Sequence, residues 1–222
     1  MSKRQHLIFS TFALFALGTG TSNATLIDRG GGLIYDTALN VTWMQDALYS
    51  QTMGASDNGR LTWNDALSFA ANTVYYDSVR NTYWDDWRLP STVNSWDSLG
   101  YDTTGLSSEL AYMYYINLGY APNTGHDPSL PEPSSTNYNP FFNLTYRAYW
   151  SGTAGMRPGT AWAVHFHFGS QELGGITDPS RVWLLRDGDV GALSVPEPGT
   201  LALLGLGLGG IGLARRRRRP NA

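Results

Sequence analysis

The sequence predicts an α+β domain in which antiparallel strands are combined with two helices and long loops. Three observations lead to this fold class: short β-favouring runs occur at both ends of the central part of the chain, two apolar stripes with helical spacing lie between them, and a proline-rich stretch follows the second stripe. The domain is expected at residues 25–194. An N-terminal signal helix at residues 1–24 and a C-terminal hydrophobic helix within residues 195–222 are expected to flank it.

The N-terminal segment has the pattern of a secretory signal peptide. Lys3 and Arg4 precede an apolar run at residues 7–17, and the small residues up to Ala24 fit a cleavage site. A membrane-spanning helix is the alternative, but such a helix needs about twenty apolar residues, more than this run supplies. We therefore expect export, with cleavage after Ala24.

A β-hairpin and a helix are expected to open the central domain. The runs Leu33–Asp36 and Val41–Met44 favour strands, and the residues between them suit a turn. Apolar residues then recur at helical spacing over residues 63–74. Thr62 precedes this stripe and Asp65 follows three residues later, which is a capping-box-like start and predicts that the helix begins after Thr62.

A second helix is expected at about residues 109–118. Its apolar residues share one face, Ser107 or Ser108 supplies the N-terminal cap, and Gly119 ends the helix. Residues 120–140 contain five prolines, which predicts a long irregular loop after the helix.

Strands are expected again in the last third of the domain. They occupy residues 149–151, 161–168 and 181–186, and the last of them is expected to pair with the opening strands. In the middle strand, alternation predicts one apolar face and one more polar face, which contains His165 and His167.

The composition excludes several functional classes. The 222 residues carry a formal net charge of −3, but the segment 25–195 holds eight arginines, no lysine and seventeen acidic residues, so the central domain alone carries −9. A domain of this charge repels nucleic acid. The absence of cysteine excludes disulfides, thiolate zinc sites, iron–sulfur clusters and a cysteine nucleophile.

The C-terminal segment carries a three-part pattern. Pro196-Glu197-Pro198 precedes an apolar run at residues 201–214, and an arginine cluster follows that run: Arg215, Arg216, Arg217, Arg218 and Arg219. In this order the three parts resemble the PEP-CTERM sorting signal of bacterial envelope proteins; a plain C-terminal tail anchor is the alternative. The resemblance implies an exosortase as partner, a transient anchor in the inner membrane, and delivery to the outer surface or extracellular matrix of a Gram-negative bacterium that produces exopolysaccharide.

The central domain resembles a second family through an ordered set of segments within residues 33–190. In order, these are the opening strands, the helix start at Thr62-Trp63, Trp87-Arg88-Leu89-Pro90, Ser108-Glu109-Leu110, Tyr149-Trp150-Ser151 and a closing strand from Val182. The set is similar to the Lcl-type C-terminal domain, which implies a C-type lectin-like fold shared with formylglycine-generating enzymes. The copper chemistry of those enzymes uses paired cysteines, so it does not carry over to this chain.

Two segments carry the family motifs: Trp87, Arg88, Leu89 and Pro90 in the first, and Trp150 and Ser151 in the second. Both motifs are expected to be structural. In the first segment, Trp87 and Leu89 would bury apolar area while Arg88 would pair with a buried carboxylate. Binding of a ligand anion by Arg88 is the alternative.

No cofactor, metal or catalytic residue is assigned from the sequence. The two weaker alternatives are a metal ion at His165, His167, His126 and Asp127, and Ca²⁺ at Asp187 and Asp189. Two histidines alone do not define a metal site, and Asp-Gly-Asp is also an ordinary tight turn. Nucleophile-elbow, zinc-protease and Walker motifs are absent from the sequence.

The expected function is that of a non-enzymatic, exported surface or matrix protein. Eight tryptophans and thirteen tyrosines would offer rings to sugar faces, so exopolysaccharide or another envelope component is the expected ligand; the same rings could equally serve to hold the loops. Two alternatives stay open: a secreted enzyme that acts on polysaccharide, which needs two converging carboxylates, and a structural matrix protein without a ligand.

Overall fold

Antiparallel pairing joins most of the strands of this domain, and its helices are few and short. The structure is a computed structural model that describes residues 25–122 and 140–191. Its strands are β1 (Leu26–Asp28), β2 (Leu33–Asp36), β3 (Val41–Met44), β4 (Arg60–Leu61), β5 (Tyr75–Asp77), β6 (Thr82–Trp84), β7 (Gly100–Tyr101), β8 (Ala148–Ala154), β9 (Thr160–His165), β10 (Ser170–Gly175), β11 (Ser180–Arg181) and β12 (Leu185–Asp187). Its helices are α1 (Tyr49–Thr52), α2 (Trp63–Asn72) and α3 (Glu109–Tyr112), with a 3-10 turn at Trp96–Ser98 and a π-helical turn at Met113–Asn117. The α+β fold class is confirmed, with more strand than helix.

The first sheet has the strand order β1-β2-β3-β12, and all its pairs are antiparallel. The predicted hairpin is confirmed: Leu33 lies opposite Met44, and Asp36 lies opposite Val41. The buried carboxylate of Asp36 accepts hydrogen bonds from two amides of the turn. Because β12 pairs with β3, the closing strand joins the opening strands, as predicted.

The second sheet has the order β4-β11-β8-β9-β10-β7, with β11 parallel to β8 and the other pairs antiparallel. Strand β8 confirms the strand predicted around residues 149–151. The sequence did not predict β10, because its glycines and polar residues disfavour a strand; six residue pairs with β9 hold it in place. The strand predicted at residues 181–186 is two strands, since the chain passes from the second sheet to the first between β11 and β12.

Strand β9 differs from its prediction in length and in the burial of its faces. It ends at His165, because a turn closes there through a hydrogen bond from the Gly169 amide to the His165 carbonyl, and Gly169 adopts a φ of 79°. Val164 lies in one hydrophobic cluster, while Ala163 lies in another that includes residues of α2. The prediction of a polar face was wrong, because Ala163 on that side is buried in a cluster that also includes residues of α2.

Helix α2 begins where the sequence predicts and ends earlier. The Thr62 side chain accepts a hydrogen bond from the Asp65 amide at 3.4 Å and lies 2.6 Å from the Asp65 carboxylate, which confirms the predicted cap. The helix ends at Asn72 because Thr73 is extended, with a ψ of 124°. Val74, the last residue of the predicted stripe, lies outside the helix and is 58% exposed. The hairpin β5–β6 that follows was not predicted.

The second predicted helix is present as α3 and the π-helical turn after it. Ser108 caps α3 by accepting a hydrogen bond from the Ala111 amide at 3.3 Å, and Gly119 ends the helical region with a φ of 69°. Both ends agree with the prediction; the change to π-helical geometry was not predicted. Most of the predicted loop at residues 120–140 lies outside the described residues.

Tryptophan rings fill much of the interior. Of the eight tryptophans, Trp63 and Trp84 are partly buried and Trp96 is 52% exposed, while five are buried: Trp43, Trp87, Trp150, Trp162 and Trp183. They belong to a core that includes two hydrophobic clusters of the two sheets. The tryptophans of the sequence therefore serve mainly to pack the fold.

In the two described stretches, the helices all fall short of the length and apolar character needed to cross a bilayer. The predicted signal helix at residues 1–24 and the predicted hydrophobic helix within residues 195–222 lie outside the described residues, so both stay predictions.

Candidate functional site

The segment from Trp87 to Pro90 packs against helix α2 and pairs with the first sheet. Trp87 and Leu89 are buried in a hydrophobic cluster with residues of α2. The Arg88 backbone exchanges two hydrogen bonds with Leu185, at 2.8 and 3.1 Å, and so extends the first sheet next to β12. This segment holds parts of the chain that are distant in sequence.

The Arg88 guanidinium binds two carboxylates. It donates two parallel hydrogen bonds of 2.8 Å to Glu109, the first residue of α3, and two more to Asp187 at 3.0 and 2.6 Å. Burial by itself would lower the pKa of Arg88, but the hydrogen bonds and charges of Glu109 and Asp187 raise it above its ordinary value. Since its donors are occupied, the contacts agree with a structural role, which stays a prediction.

Trp150 and Ser151 connect strand β8 to neighbouring elements. Both residues are buried. The Trp150 indole donates to the Leu61 carbonyl at 3.0 Å, and the Ser151 carbonyl accepts a hydrogen bond of 2.8 Å from the Trp63 indole. These bonds tie β8 to β4 and to the start of α2.

The predicted sorting residues lie outside the described residues: Pro196, Glu197, Pro198, Arg215, Arg216, Arg217, Arg218 and Arg219. The same holds for His126 and Asp127.

The two metal alternatives receive no support from the positions of the remaining residues. His165 ends β9 and His167 lies in the following turn, so the pair does not share a strand face. Asp187 binds Arg88, and Asp189 receives two hydrogen bonds from Arg29. Within residues 25–122 and 140–191, no three histidine, aspartate or glutamate side chains are placed to hold a metal ion together.

A polar cavity of about 500 Å³ lies at one end of the second sheet and was not predicted. We call it the arginine pocket, because Arg60, Arg147 and Arg181 line it together with His165. Arg60 lies in β4, Arg181 in β11 and His165 at the end of β9, and Arg147 directly precedes β8. Among the described residues of its lining, Glu172 of β10 is the one that is acidic.

The arginines of this pocket differ from the other arginines in their partners. Four of the eight arginines of the domain form ion pairs with carboxylates: Arg29, Arg80, Arg88 and Arg186. The other four form no ion pair with a carboxylate of the described residues, and three of these four line the arginine pocket. Arg60 and Arg147 are exposed and Arg181 is partly buried, so three cations are gathered at one place in a domain with a net charge of −9.

Strand pairing forces two of the cations together. Arg60 and Arg181 lie directly opposite each other in the antiparallel pair β4–β11. Like charges in this position destabilise a sheet. The Arg60 guanidinium donates two hydrogen bonds to the Pro179 carbonyl, and Arg147 stacks over the Tyr146 ring at 4.7 Å, so their side chains are held by neutral groups.

Two buried nitrogen atoms in the arginine pocket lack a hydrogen-bond partner in the described structure: Nε of Arg181 and Nδ1 of His165. Burial lowers the pKa of Arg181, as does repulsion from Arg147 and Arg60. Burial also lowers the pKa of His165, with further lowering by His167, Arg147 and Arg181. The pocket thus offers donors and positive charge, and an anion is the group that would satisfy both.

Glu172 is not paired with these cations in the described part of the chain. Its carboxyl forms no ion pair with an arginine there, and burial raises the pKa of this carboxyl. The cations therefore remain available to a ligand.

A family model of the Lcl C-terminal domain matches residues 32–186, which is more than half of the sequence. The chain belongs to the Lcl C-terminal domain family. A model of the PEP-CTERM protein-sorting motif matches residues 194–219. No curated protein and no solved structure matches the chain.

The sorting motif establishes how this Lcl C-terminal domain is delivered. The domain is exported, exosortase processes its PEP-CTERM signal, and the chain is anchored in the membrane before processing. The expected likeness of the Lcl C-terminal domain to C-type lectins and formylglycine-generating enzymes stays a prediction, as do the boundaries of the three segments.

Proposed function

We propose that this Lcl C-terminal domain is a non-enzymatic binding module of the outer surface or extracellular matrix. Its ligand is an acidic exopolysaccharide, and the arginine pocket binds the anionic groups of that polymer. The observation that carries the proposal is the convergence in one cavity of three arginines that have no carboxylate partner among the described residues.

Charge and geometry both support this ligand. The guanidinium groups offer planar sets of donors that match the carboxylates of uronic acids or the sulfates of substituted sugars. The net charge of −9 repels an acidic polymer at long range, but this repulsion is screened beyond about 8 Å at physiological ionic strength. Binding therefore has to be local, and a cavity of about 500 Å³ accommodates a charged group with part of its sugar.

The composition of the pocket supports binding rather than hydrolysis. A glycosidase of the usual type needs two carboxylates about 5 to 10 Å apart. Glu172 is the one carboxylate among the described residues that line the pocket, so the pair that the hydrolase alternative requires is not present there.

The aromatic residues give less support to sugar binding than the charges do. Five of eight tryptophans are buried, and the exposed Trp96 is stacked against Arg157 at 5.0 Å. Packing of this kind is what a structural matrix protein without a ligand would also show. The arginine pocket is the feature that distinguishes a binding module from that alternative.

Arg181→Gln is expected to weaken binding of polygalacturonate, a polymer of uronic acid, by about tenfold, the effect of losing one charge-assisted contact of about 1.4 kcal/mol. Isothermal titration with the full chain in detergent measures the change. Stability should not fall, because the substitution removes the repulsion between Arg181 and Arg60.

Arg157→Gln is the matched control for this experiment. Arg157 also forms no ion pair with a carboxylate of the described residues, and it lies outside the arginine pocket. The same loss of one positive charge should leave polygalacturonate binding unchanged. Equal losses in the two variants would show that general charge, and not the pocket, governs binding; no binding by the unmodified chain would favour a structural protein without a ligand.

Binding should strengthen at lower pH through His165. The pKa of this imidazole is lowered by burial and by the neighbouring cations, so it is neutral in the free pocket at neutral pH. A bound anion favours the protonated form and raises this pKa. We expect the affinity for polygalacturonate to rise about fivefold as the pH falls from about 7.5 to about 5.5. The free domain should lose stability over the same fall in pH, because His165 binds a proton more readily in the unfolded chain than in the folded one.

Two variants assign this pH dependence. His165→Gln should remove most of it. Glu172→Gln tests the other titrating group in the pocket. Because the pKa of Glu172 is raised, protonation of its carboxylate occurs closer to the pH range of this experiment. A pH dependence that survives in both variants would contradict the assignment to the arginine pocket.

A further inference from the structure

Asn58 lines the arginine pocket and precedes Gly59, and this is the only Asn-Gly pair in the sequence. Asparagine before glycine is the dipeptide most prone to cyclise, because a residue without a side chain leaves its amide nitrogen accessible to the asparagine Cγ. Asn58 is exposed to solvent, so water can reach it.

The local hydrogen bonds favour attack on the Asn58 side chain. Its Oδ1 accepts a hydrogen bond of 3.1 Å from the Arg60 amide and another of 3.1 Å from the Ser56 hydroxyl. Two donors on one carbonyl oxygen polarise the carbonyl and stabilise the negative charge that develops there during attack. The Gly59 amide donates a long bond of 3.4 Å to the Ser56 carbonyl, so little hydrogen-bond energy is lost when this amide is released.

We propose that Asn58-Gly59 is a self-modification site that converts Asn58 to aspartate or isoaspartate and places a carboxylate in the arginine pocket. The Gly59 nitrogen forms a bond to Cγ of Asn58, the Cγ–Nδ2 bond breaks, and ammonia leaves with the amide proton of Gly59. Water then opens the cyclic imide at either carbonyl. In sum, one water is consumed and one ammonia is released, without an oxidant or a reductant.

The new carboxylate would act as an internal counter-ion. It lies in the same cavity as Arg60 and Arg181, whose mutual repulsion it would relieve. The modified domain should therefore be more stable and should bind external anions more weakly. The second of these effects rests on the function proposed above, whereas the modification and the gain in stability do not.

Peptide mass spectrometry of the full chain, incubated for days in mildly alkaline buffer, tests the modification. We expect the peptide with Asn58 to convert before any other asparagine peptide, and Asn58→Gln to abolish conversion at this position. Asn72 is the internal reference, because it is also exposed but precedes threonine. Persistence of Asn58 while Asn72 converts would overturn the proposal.

Asn58→Asp and its control Asn72→Asp test the consequence, since both variants add the same charge. Asn58→Asp should raise the melting temperature and weaken polygalacturonate binding about fivefold, and Asn72→Asp should do neither. Equal melting temperatures in the two variants would overturn the counter-ion role. If the unmodified chain binds no polygalacturonate, the proposed function fails, while the mass and melting data still decide the modification.

Discussion

Trp183→Ala should lower the free energy of unfolding by about 4 kcal/mol, as expected for the loss of a fully buried tryptophan. The Trp183 ring lies 4.9 Å from that of Trp43 and 4.8 Å from that of Phe141, measured between centroids. Its indole also donates to the Met44 carbonyl at 2.8 Å. The substitution removes these ring contacts, leaves a cavity and deprives the buried Met44 carbonyl of this hydrogen-bond donor. Urea unfolding followed by circular dichroism measures the change.

Trp96→Ala is the control for this prediction. Its ring is half exposed and contacts the Arg157 side chain. Removal of this ring should change the free energy of unfolding by less than about 1 kcal/mol. Similar losses in both variants would contradict the division between core and surface rings that the structure makes.

Arg88→Ala should lower the free energy of unfolding by about 3 kcal/mol, because it leaves the largely buried carboxylate of Glu109 without its cation. The side chain of Glu109 is 14% exposed and that of Arg88 is 33% exposed, so the pair is shielded from solvent but not fully buried. Loss of the two parallel hydrogen bonds also releases the start of α3 from the first sheet. Urea unfolding again supplies the measurement.

Two further variants assign the effect of Arg88. Arg157→Ala removes an arginine without a carboxylate partner among the described residues and should be nearly neutral. Arg88→Lys keeps the charge but loses the paired donors, so it should recover only part of the lost stability. An Arg88→Ala variant with an unchanged unfolding midpoint would show that the pair is not structural and would return Arg88 to the group of ligand-binding candidates.

The elements that could be predicted from the sequence are those with local signals. The β2–β3 hairpin is specified by two β-favouring runs and a short turn between them. Helix α2 is specified by Thr62, Asp65 and the apolar stripe, and the cap of α3 by Ser108. Each of these signals lies within a few residues of the structure that it determines.

The features that the sequence did not predict depend on distant partners. Strand β10 is polar and rich in glycine, and it is a strand only because β9 lies beside it. Alternation predicted a more polar face on β9, but Ala163 on that side is buried in a cluster with residues of α2. Neither neighbour can be identified from periodicity within the strand itself.

The arginine pocket could not be predicted for the same reason. Arg60 and Arg181 are separated by most of the domain, and they meet only because β4 pairs with β11. One sequence signal was available: an acidic domain whose cations are all arginine raises the question of which of them lack a carboxylate partner. That question is answered only by the ion pairs of the folded chain.

Nuclear magnetic resonance of the His165 imidazole, during titration of the labelled full chain with galacturonate oligomers, tests the central claim most directly. The arginine pocket predicts that the His165 resonances shift in proportion to the bound fraction and that the pKa of His165 rises from its lowered value. The Arg181 Nε resonance should shift with it. Oligomer binding that leaves both residues unchanged, or that shifts the exposed rings of Tyr76 and Tyr83 instead, would contradict the claim.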